Sequence, residues 1–552
     1  MIKKAQSNDI LIYLGVAVAA ALLFIPMLGG VHLFDWDEIN FAESAREMIQ
    51  SKDYLTVQIN FTPFWEKPPL FIWMQVLSMQ AFGINEFAAR LPNAICGIVT
   101  LLALFHIGRL LIDSRFGLIW VFMFGGSLLP FIYFKSGIID PWFNLFIFLG
   151  VYYFYRFRSK NSKPRIHLIA SAVFIGLAIL TKGPVAMLVF MITAIIVWFV
   201  KEFQPAIRLK DLFIFLAIVV FVGGFWFILQ ILQGNFDILV DFVVYQIRLF
   251  RTQDAGHGGF LLYHFVILLL GVFPASIYAL PALFGTRNKA APGKSFMPWM
   301  VVLFWVVLIL FTIVKTKIVH YSSLCYFPLT FLAAWSVYRV RIMDKGWKKA
   351  TDVLLITTGV SISLLVIVLS FIDHYKAWII AQGWIKDPFA IGCLSADGGW
   401  KGYEFIAGLI PVIGLIMYFT SRQRNYLAAI YKFGIAIAVF LFLSMVMIVP
   451  RVEAYSQRAA VDFFITVSKE VAYIETKGYK SYAHLFYGKV SNPHNPKAKD
   501  VNWLLKGDID KPAYFVIKIN KKAQFMATYA DAELLYEKNG FVFFKRSSTF
   551  IP

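Results

Sequence analysis

Long runs of apolar residues recur along this chain and are separated by short polar stretches. A run of about 20 apolar residues is long enough to cross the hydrocarbon core of a bilayer as an α-helix. Eleven runs approach or exceed this length, at 10–30, 88–108, 117–135, 140–156, 211–233, 260–283, 298–316, 319–338, 351–373, 404–420 and 427–449. The pattern predicts an α-helical polytopic membrane protein.

Two further stretches need separate treatment. The apolar segment 166–200 is too long for one span and contains Gly183 and Pro184, which disfavour a continuous helix. It is predicted to form two short spans that meet at a turn, which brings the total to thirteen. The stretch 68–83 carries Gln75 and Gln80 and is predicted to be a helix lying at the membrane surface.

The distribution of charge orients these spans. The chain is 59% hydrophobic and only 15% charged, and its net charge is +20. The basic residues cluster in short loops between apolar runs, as in cytoplasmic loops, so nucleic acid is excluded as a partner. Lys3 and Lys4 place the N-terminus inside. Residues 31–87, 234–259 and everything after 449 are therefore predicted to lie outside.

Residues 451–552 differ in composition from the transmembrane part, residues 1–450. They are rich in charge, with strand-like runs at 513–518 and 540–545 and a helix-like run near 457–477. We expect a small α/β domain on the outer face of the membrane.

The outer loop 31–87 carries the densest acidic cluster of the chain, which includes Asp37 and Glu38. Asp37 is suited to cap a helix that begins at Glu38. It is equally suited to act as a general base, because acids where a chain leaves the lipid are candidates for proton transfer. Both residues are predicted to be catalytic, and capping is compatible with that role.

Several cations and one further acid lie on the same outer side. A structural interpretation, as a solvated charge or a helix start, is open for each of them. They are Lys67 beside Glu66, Lys182 in the broken segment, and Asp140 before Pro141. The functional alternative is that Lys67 and Lys182 bind an anionic phosphate and that Asp140 lines the site.

Two other outer segments carry candidate residues. Arg248 and Arg251 in the 234–259 loop are predicted to bind phosphate through their planar forks, although a solvated loop face is nearly as good an explanation. Lys317 and Tyr321 lie at a span junction where snorkelling is the alternative to substrate binding. His257 is a candidate metal ligand together with Glu66. As a set, these residues suit a reaction between a polar head group and a phosphate leaving group.

The quoted motifs together are similar to those of a known enzyme family. They resemble the GT-C-fold glycosyltransferases that use polyprenyl-phosphate sugars, above all the lipid A aminoarabinose transferases and the related protein O-mannosyltransferases. The resemblance covers roughly residues 10–340. It is carried by Asp37-Glu38, Phe41 to Met48, Glu66 to Pro69, Ala89 to Pro92, Ile139 to Pro141, Leu180 to Gly183, the loop from Arg251 to His257, and Lys317 to Tyr321.

The resemblance implies an inner-membrane enzyme that transfers a sugar from undecaprenyl phosphate to lipid A or a related envelope acceptor on the periplasmic face, with inversion. It implies Asp37 as the catalytic carboxylate, Lys67 as a donor-phosphate ligand, and Asp140 and Tyr321 as lining residues. It also implies a zinc ion near Glu66 and His257.

One departure from the family leaves the acceptor open. The aminoarabinose transferases have arginine and tyrosine where this chain has Asn40 and Phe41. Transfer to a protein hydroxyl, as in O-mannosylation, is therefore the first alternative. A lipid-linked sugar transporter is the second, disfavoured because the charges gather at one face and no inverted repeat is evident.

Overall fold

The structure is a computed structural model that describes residues 2–35, 37–159, 164–200, 207–251, 258–284, 295–343 and 349–549. Helices account for most of the described residues up to residue 470. The predicted helical architecture is confirmed at this level.

The N-terminal half contains a short hairpin and fourteen helices among the described residues. The helices are α1 Ile2–Phe24, α2 Asp37–Ser51, α3 Leu70–Phe82, α4 Glu86–Leu111, α5 Ser114–Gly125, α6 Leu128–Tyr133, α7 Asp140–Phe157, α8 Pro164–Lys182, α9 Val185–Val200, α10 Leu209–Gly223, α11 Phe225–Leu232, α12 Asp237–Arg251, α13 Tyr263–Gly271 and α14 Ala275–Phe284. The hairpin pairs β1 Gln58–Ile59 with β2 Thr62–Pro63.

The remaining helices follow the same pattern up to residue 467 and then become short. They are α15 Met297–Ile313, α16 Tyr326–Met343, α17 Lys349–Leu369, α18 Ile372–Ala381, α19 Pro388–Leu394, α20 Phe405–Ser421, α21 Tyr426–Leu443, α22 Val449–Ala454, α23 Arg458–Val467, α24 Ala483–Tyr487, α25 Val501–Lys506 and α26 Lys522–Thr528. A 3-10 segment, Val319–Cys325, precedes α16, and a π-helical segment, Ser444–Ile448, joins α21 to α22.

Membrane-spanning helices are present among the described residues. Four helical segments are long and apolar enough to cross a bilayer, namely Glu86–Leu111, Pro164–Lys182, Lys349–Leu369 and Tyr426–Ala454. Two bent pairs, α10 with α11 and α13 with α14, raise the number to six if each pair is one span. The finer prediction of thirteen spans stays a prediction.

The predicted break in segment 166–200 is confirmed. Helix α8 ends at Lys182 and α9 begins at Val185. Gly183 between them has a φ of 109°, a conformation that only glycine adopts without strain. A Cβ at this position would lie 2.8 Å from the Phe242 ring of α12. The turn therefore fixes the position of Lys182 at the end of α8.

The C-terminal part contains a mixed four-stranded sheet. Its strands are β3 Tyr473–Lys477, β4 Ala513–Lys518, β5 Glu533–Lys538 and β6 Phe541–Arg546, in the order β3-β4-β6-β5, with β3 and β4 parallel. The two predicted strands are confirmed. The predicted helix near 457–477 is too long, because helix α23 ends at Val467 and residues 473–477 pair with β4 as a strand.

This C-terminal part packs directly on the acidic outer loop. Ile39 of α2 and Phe71 of α3 share one hydrophobic core with Val461, Phe464 and Val516. Burial of apolar side chains from both segments in one core stabilises their relative placement. The start of α2 is therefore held between the bundle and the sheet.

Candidate active site

A cavity opens at the N-terminus of α2, where several distant segments meet. Its walls come from α2, the 64–67 segment, the starts of α7 and α9, the end of α8, helix α12, the end of α15 and the 3-10 segment. The charged and polar residues that line it are Asp37, Asn40, Glu66, Lys67, Asp140, Asn144, Lys182, Tyr245, Gln246, His320 and Tyr321. Six of the eleven site residues predicted from the sequence are thus brought to one cavity.

Three groups form a chain of short contacts in this cavity. The Nε2 atom of His320 lies 3.3 Å from an oxygen of Asp37 and 4.0 Å from an oxygen of Asp140. The ammonium of Lys182 donates to the other oxygen of Asp140 at 2.5 Å. Asp37 is the more accessible acid, with 30% of its side chain exposed, against 4% for Asp140. Of these two acids, Asp37 is therefore the one that a substrate can reach.

Helix geometry explains how α2 presents its residues to the cavity. Asp37, Asn40 and Phe41 stand at positions i, i+3 and i+4, which share one face of an α-helix. The amide oxygen of Asn40 is buried and has no hydrogen-bond partner among the described residues. A buried acceptor without a partner is unfavourable unless a ligand satisfies it. This face of α2 is therefore suited to polar substrate groups.

Lysines 67 and 182 supply positive charge to the cavity. Lys182 lies over the Tyr321 ring, with its ammonium 5.4 Å from the ring centre. The Lys67 ammonium lies 3.5 Å from the Tyr245 hydroxyl and 4.8 Å from the centre of that ring. Burial lowers the pKa of Lys67, while the carboxylate of Glu66 beside it raises the pKa. An incoming phosphate would favour the charged form of Lys67 for the same reason.

Glu38 does not line this cavity, and its position there does not support the predicted catalytic role. One residue on from Asp37, it is rotated by about 100° around the helix axis. Its two oxygens accept hydrogen bonds from Arg90 at 2.9 and 2.8 Å and from the backbone N–H groups of Phe34 and Gly137. Burial raises the pKa of Glu38, but the Arg90 charge and these hydrogen bonds outweigh it and hold the pKa below its usual value. Glu38 is thus a fully bonded structural carboxylate.

Arg90 completes this structural unit. Its guanidinium donates to Glu38 and also to the carbonyl oxygens of Leu28, Val31 and His32. All five N–H donors of an arginine are used in this way. The contact ties the end of the first helical segment to the start of α2, and so positions Asp37.

Lys317 is also placed differently from the prediction. Its ammonium donates to the carbonyl oxygens of Phe311, Thr312 and Val314 at 3.0, 2.6 and 2.7 Å. These three bonds use the three N–H donors of a lysine and terminate α15. Lys317 is therefore a helix cap, and its predicted role in substrate binding is not supported by this geometry.

The remaining predicted residues are on or near α12, where a loop was expected. Residues 237–251 form an amphipathic helix, in which Tyr245 and Gln246 line the cavity while Arg248 is exposed. The Arg248 guanidinium lies 5.1 Å from the centre of the Tyr245 ring, outside the cavity lining. The side chain of Arg251 and all of His257 lie outside the described residues.

The predicted metal site can be tested only in part. Glu66 lines the cavity, whereas its proposed partner His257 lies outside the described residues. Within the described ranges, no group of three His, Cys, Asp or Glu side chains converges to hold a metal ion. No step of the chemistry is therefore assigned to a metal.

Sequence reasoning missed several residues that the fold brings to the cavity. His320, Tyr245 and Gln246 all line it, and the Nε2 donor of Gln246 is buried without a partner among the described residues. His320 stands between two residues that were singled out, Lys317 and Tyr321. Its position in a polar junction on the outer side could have marked His320 as a site residue. The sequence spacing, however, did not show that Asp37 is its partner.

Comparison with known proteins tests the predicted family. Residues 66–226 match the family described as "Dolichyl-phosphate-mannose-protein mannosyltransferase". The chain is 27% identical over 422 residues to the undecaprenyl phosphate-alpha-4-amino-4-deoxy-L-arabinose arabinosyl transferase of Yersinia enterocolitica, covering 74% of this chain and 71% of the relative. It is 28% identical over 337 residues to the enzyme of the same name from Edwardsiella ictaluri, covering 59% of each.

The fold is shared with a solved structure over nearly the whole chain. The match is to ArnT from Cupriavidus metallidurans bound to undecaprenyl phosphate, with a TM-score of 0.77 and 15% identity, covering 98% of this chain and 99% of that one. Fold and relatives agree on the class: the chain is a membrane glycosyltransferase and shares its fold with ArnT. Within that class it is similar to the arabinosyl transferases named above, as its motifs predicted.

Proposed function

We propose that this protein is an inverting glycosyltransferase that moves a sugar from undecaprenyl phosphate to lipid A or a related envelope acceptor on the periplasmic face of the inner membrane. The observation that carries the proposal is the cavity in which the accessible Asp37 carboxylate, the His320 ring and the Lys67 ammonium are lining residues. An acid and a cation in one cavity suit attack at a sugar whose leaving group is a phosphate.

The donor fits the composition of the cavity wall. Two ammonium groups, Lys67 and Lys182, are available to a carrier phosphate, and the wall beside them is apolar at Val185, Val189 and Phe311. Such a wall suits the first units of a polyprenyl chain, because apolar surface is removed from water there. The Arg248 guanidinium lies beside this cavity, 5.1 Å from the centre of the Tyr245 ring, and is proposed to contribute to phosphate binding.

The transfer needs one bond to form and one to break. An acceptor oxygen bonds to the anomeric carbon from the face opposite the phosphate, and the bond from that carbon to the phosphate oxygen breaks. Undecaprenyl phosphate leaves with the electron pair, and the Lys67 and Lys182 charges stabilise its growing negative charge. Asp37 orients the acceptor and accepts its proton, if it carries one, while His320 holds the carboxylate in place.

The orientation of the protein in the membrane is inferred from the sequence. Basic residues in the short loops between spans favour a cytoplasmic location for those loops, which places α2, the cavity and residues 451–552 in the periplasm. The contact between the acidic loop and the C-terminal sheet supports one side for both. Thirteen spans remain our count, and a zinc ion bound by Glu66 and His257 remains a prediction.

The decisive test is mass spectrometry of lipid A from a deletion strain that carries either the wild-type gene or Asp37→Asn at matched expression. A sugar-sized mass present only with wild type would establish both the acceptor and the role of Asp37. Unchanged lipid A in both strains would refute the lipid A acceptor, and full transfer by the variant would refute the mechanism.

A second candidate rests on the matched family description. Because residues 66–226 match a family of protein mannosyltransferases, a protein hydroxyl is the alternative acceptor. Serine and threonine hydroxyls are much weaker acids than a phosphate, so Asp37 would be needed even more as a base. Glycans on secreted proteins that vanish with the deletion, while lipid A is unchanged, would favour this candidate.

A further inference from the structure

The segment that leads into α2 has no regular secondary structure of its own. Residues 32–35 lie outside every helix and strand, and Asp37 follows two positions beyond them. Backbone N–H and C=O groups in such a segment need hydrogen-bond partners from elsewhere in the molecule. The partners of this segment therefore set the place where α2 begins, and with it the position of Asp37.

Residues 451–552, the C-terminal part, supply side-chain partners for this backbone. The N–H of Leu33 donates to the Tyr487 hydroxyl at 2.6 Å, and the N–H of Asp35 donates to Oε1 of Gln457 at 2.9 Å. The Nε2 atom of Gln457 also donates to the carbonyl oxygen of Leu33 at 2.5 Å. One amide side chain thus bonds to two residues of the segment, through its donor and its acceptor.

The two side chains that hold the segment are themselves anchored. Gln457 immediately precedes α23, and its carbonyl oxygen accepts two N–H groups of that helix, each at 3.0 Å. Tyr487 is buried and packs edge-on against the His32 ring, with 5.3 Å between the ring centres. The Nδ1 atom of His32 lies 3.1 Å from the buried carboxylate of Glu453, which also belongs to the C-terminal part.

The helical bundle holds the same segment from the other side. The N–H of Phe34 donates to Glu38 at 2.8 Å, and Arg90 of α4 donates to the carbonyl oxygen of His32 at 2.9 Å. The segment therefore lies between two sets of polar partners, one from the bundle and one from the C-terminal part. Loss of either set leaves backbone groups of the segment without their acceptors or donors, which is unfavourable where they are buried.

We infer that Gln457 and Tyr487 are positioning residues for the Asp37 carboxylate, so that the C-terminal part takes part in the transfer through the segment that it holds. Neither side chain lines the active-site cavity, so neither is placed to touch the substrates. Their effect reaches the reaction through the placement of Asp37 against His320, 3.3 Å away. A displacement of about 1 Å at a reacting group can lower a rate by about 100-fold. The inference rests on the proposed function, but the backbone bonds can be tested without it.

Kinetic assays of the full-length protein in proteoliposomes test the positioning role, with undecaprenyl phosphate-linked 4-amino-4-deoxy-L-arabinose as donor and lipid A as acceptor. Gln457→Met removes both amide bonds, and Tyr487→Phe removes one hydroxyl acceptor. We expect each to lower kcat by about tenfold or more and to leave KM for the donor within about twofold of wild type. Gln524→Met makes the same change at an exposed position of α26 and should leave both constants as in wild type.

Double variants distinguish positioning from a general loss of structure. His320→Gln also acts on the orientation of Asp37, so its effect and that of Gln457→Met on the logarithm of kcat/KM should sum to less than the two single effects. Lys67→Met acts on the donor phosphate, and its effect should add to that of Gln457→Met. Full additivity with both partners would show that Gln457 only stabilises the fold, and would overturn the inference.

Hydrogen–deuterium exchange separates this inference from the proposed function, because it needs no substrate. A peptide covering residues 31–41 should exchange faster in Gln457→Met and Tyr487→Phe, but not in Gln524→Met. Unchanged exchange in the first two variants, or faster exchange with wild-type kcat, would overturn the positioning role. If wild type transfers no sugar to lipid A, the proposed acceptor fails, and exchange at residues 37–41 decides whether the two side chains place the start of α2. If Gln457→Met does not fold, Tyr487→Phe, which lacks a single oxygen, decides.

Discussion

The Nε2 atom of the His320 ring lies 3.3 Å from the Asp37 carboxylate, although the two residues are far apart in the sequence. If this contact orients Asp37, His320→Gln will lower kcat by about 10- to 100-fold and leave KM for the donor nearly unchanged. A matched variant, Tyr321→Phe, retains the aromatic ring and will have a smaller effect on kcat. Steady-state assays in proteoliposomes measure both constants, and an unchanged kcat in His320→Gln would contradict the orienting role.

The ion pair between Lys182 and Asp140 is expected to be structural as well as functional. Lys182→Met leaves the buried Asp140 carboxylate without its ammonium, and breaking a buried pair costs about 3–5 kcal/mol. The double variant Lys182→Met/Asp140→Asn removes both charges and will recover the lost thermal stability but not the transfer activity. Recovery of activity in the double variant would show that Lys182 does not act on the donor phosphate.

Because Glu38 is paired with Arg90, we expect substitutions of Glu38 to lower the stability of the protein without a separate effect on the rate of transfer. Glu38→Ala leaves the Arg90 guanidinium buried without its carboxylate, so we expect a loss of about 3–5 kcal/mol and low expression. Glu38→Gln keeps one acceptor oxygen and will be milder. Thermal unfolding in detergent checks both variants, with activity normalised to folded protein. A folded Glu38→Gln variant without activity would return Glu38 to the catalytic machinery.

Variants of Lys67 and Lys317 test the two roles assigned to these lysines, which are phosphate binding for Lys67 and helix capping for Lys317. Lys67→Met is expected to raise KM for the donor by about tenfold or more, since it removes a charge-assisted contact to the phosphate. Lys317→Met is expected to lower the melting temperature and leave KM unchanged, since its three bonds go to the end of α15. A raised KM in Lys317→Met at normal stability would restore the original substrate-binding prediction.

The raised pKa of Glu47 leads us to expect that the stability of the protein depends on pH. Burial and the neighbouring Glu43 raise the pKa of Glu47 to about 9, above its usual value near 4.5. Because the folded state holds the Glu47 proton more tightly, the contribution of Glu47 to the free energy of unfolding is largest below pH about 4.5 and falls as pH rises towards 9, by at most about 1.4 kcal/mol per pH unit. Its oxygens accept the backbone N–H groups of Asn60 and Phe61, so the outer loop should loosen first.

Melting temperatures between pH 5 and 9 measure this effect. Glu47→Gln removes the titrating group and should flatten the decline over that range. Glu475→Gln, whose residue lies in strand β3 of the C-terminal sheet, serves as a control and should leave the slope as in wild type. A slope that Glu47→Gln does not change would assign the dependence to another group.

The sequence by itself determined the class of the protein, many of its helices and much of its site. The apolar runs predicted the helical architecture, and the Lys-Gly-Pro stretch predicted the break after α8, because these features depend on local composition and backbone preference. The motifs around Asp37, Lys67 and Asp140 predicted the family and three lining residues. All of this information is local to short segments.

The tertiary structure decided which of the charges meet. Asp37 and Glu38 are equivalent in the sequence, but neighbouring residues on a helix point about 100° apart, so the partners of α2 determine which one faces the cavity. Arg90 forms an ion pair with Glu38, and His320, from a segment far along the chain, contacts Asp37. Likewise, Lys317 became a cap because the end of α15 presents three carbonyl oxygens to it. A carboxylate or ammonium acquires its role from the partners that burial brings within reach, and those partners are set by packing between distant segments.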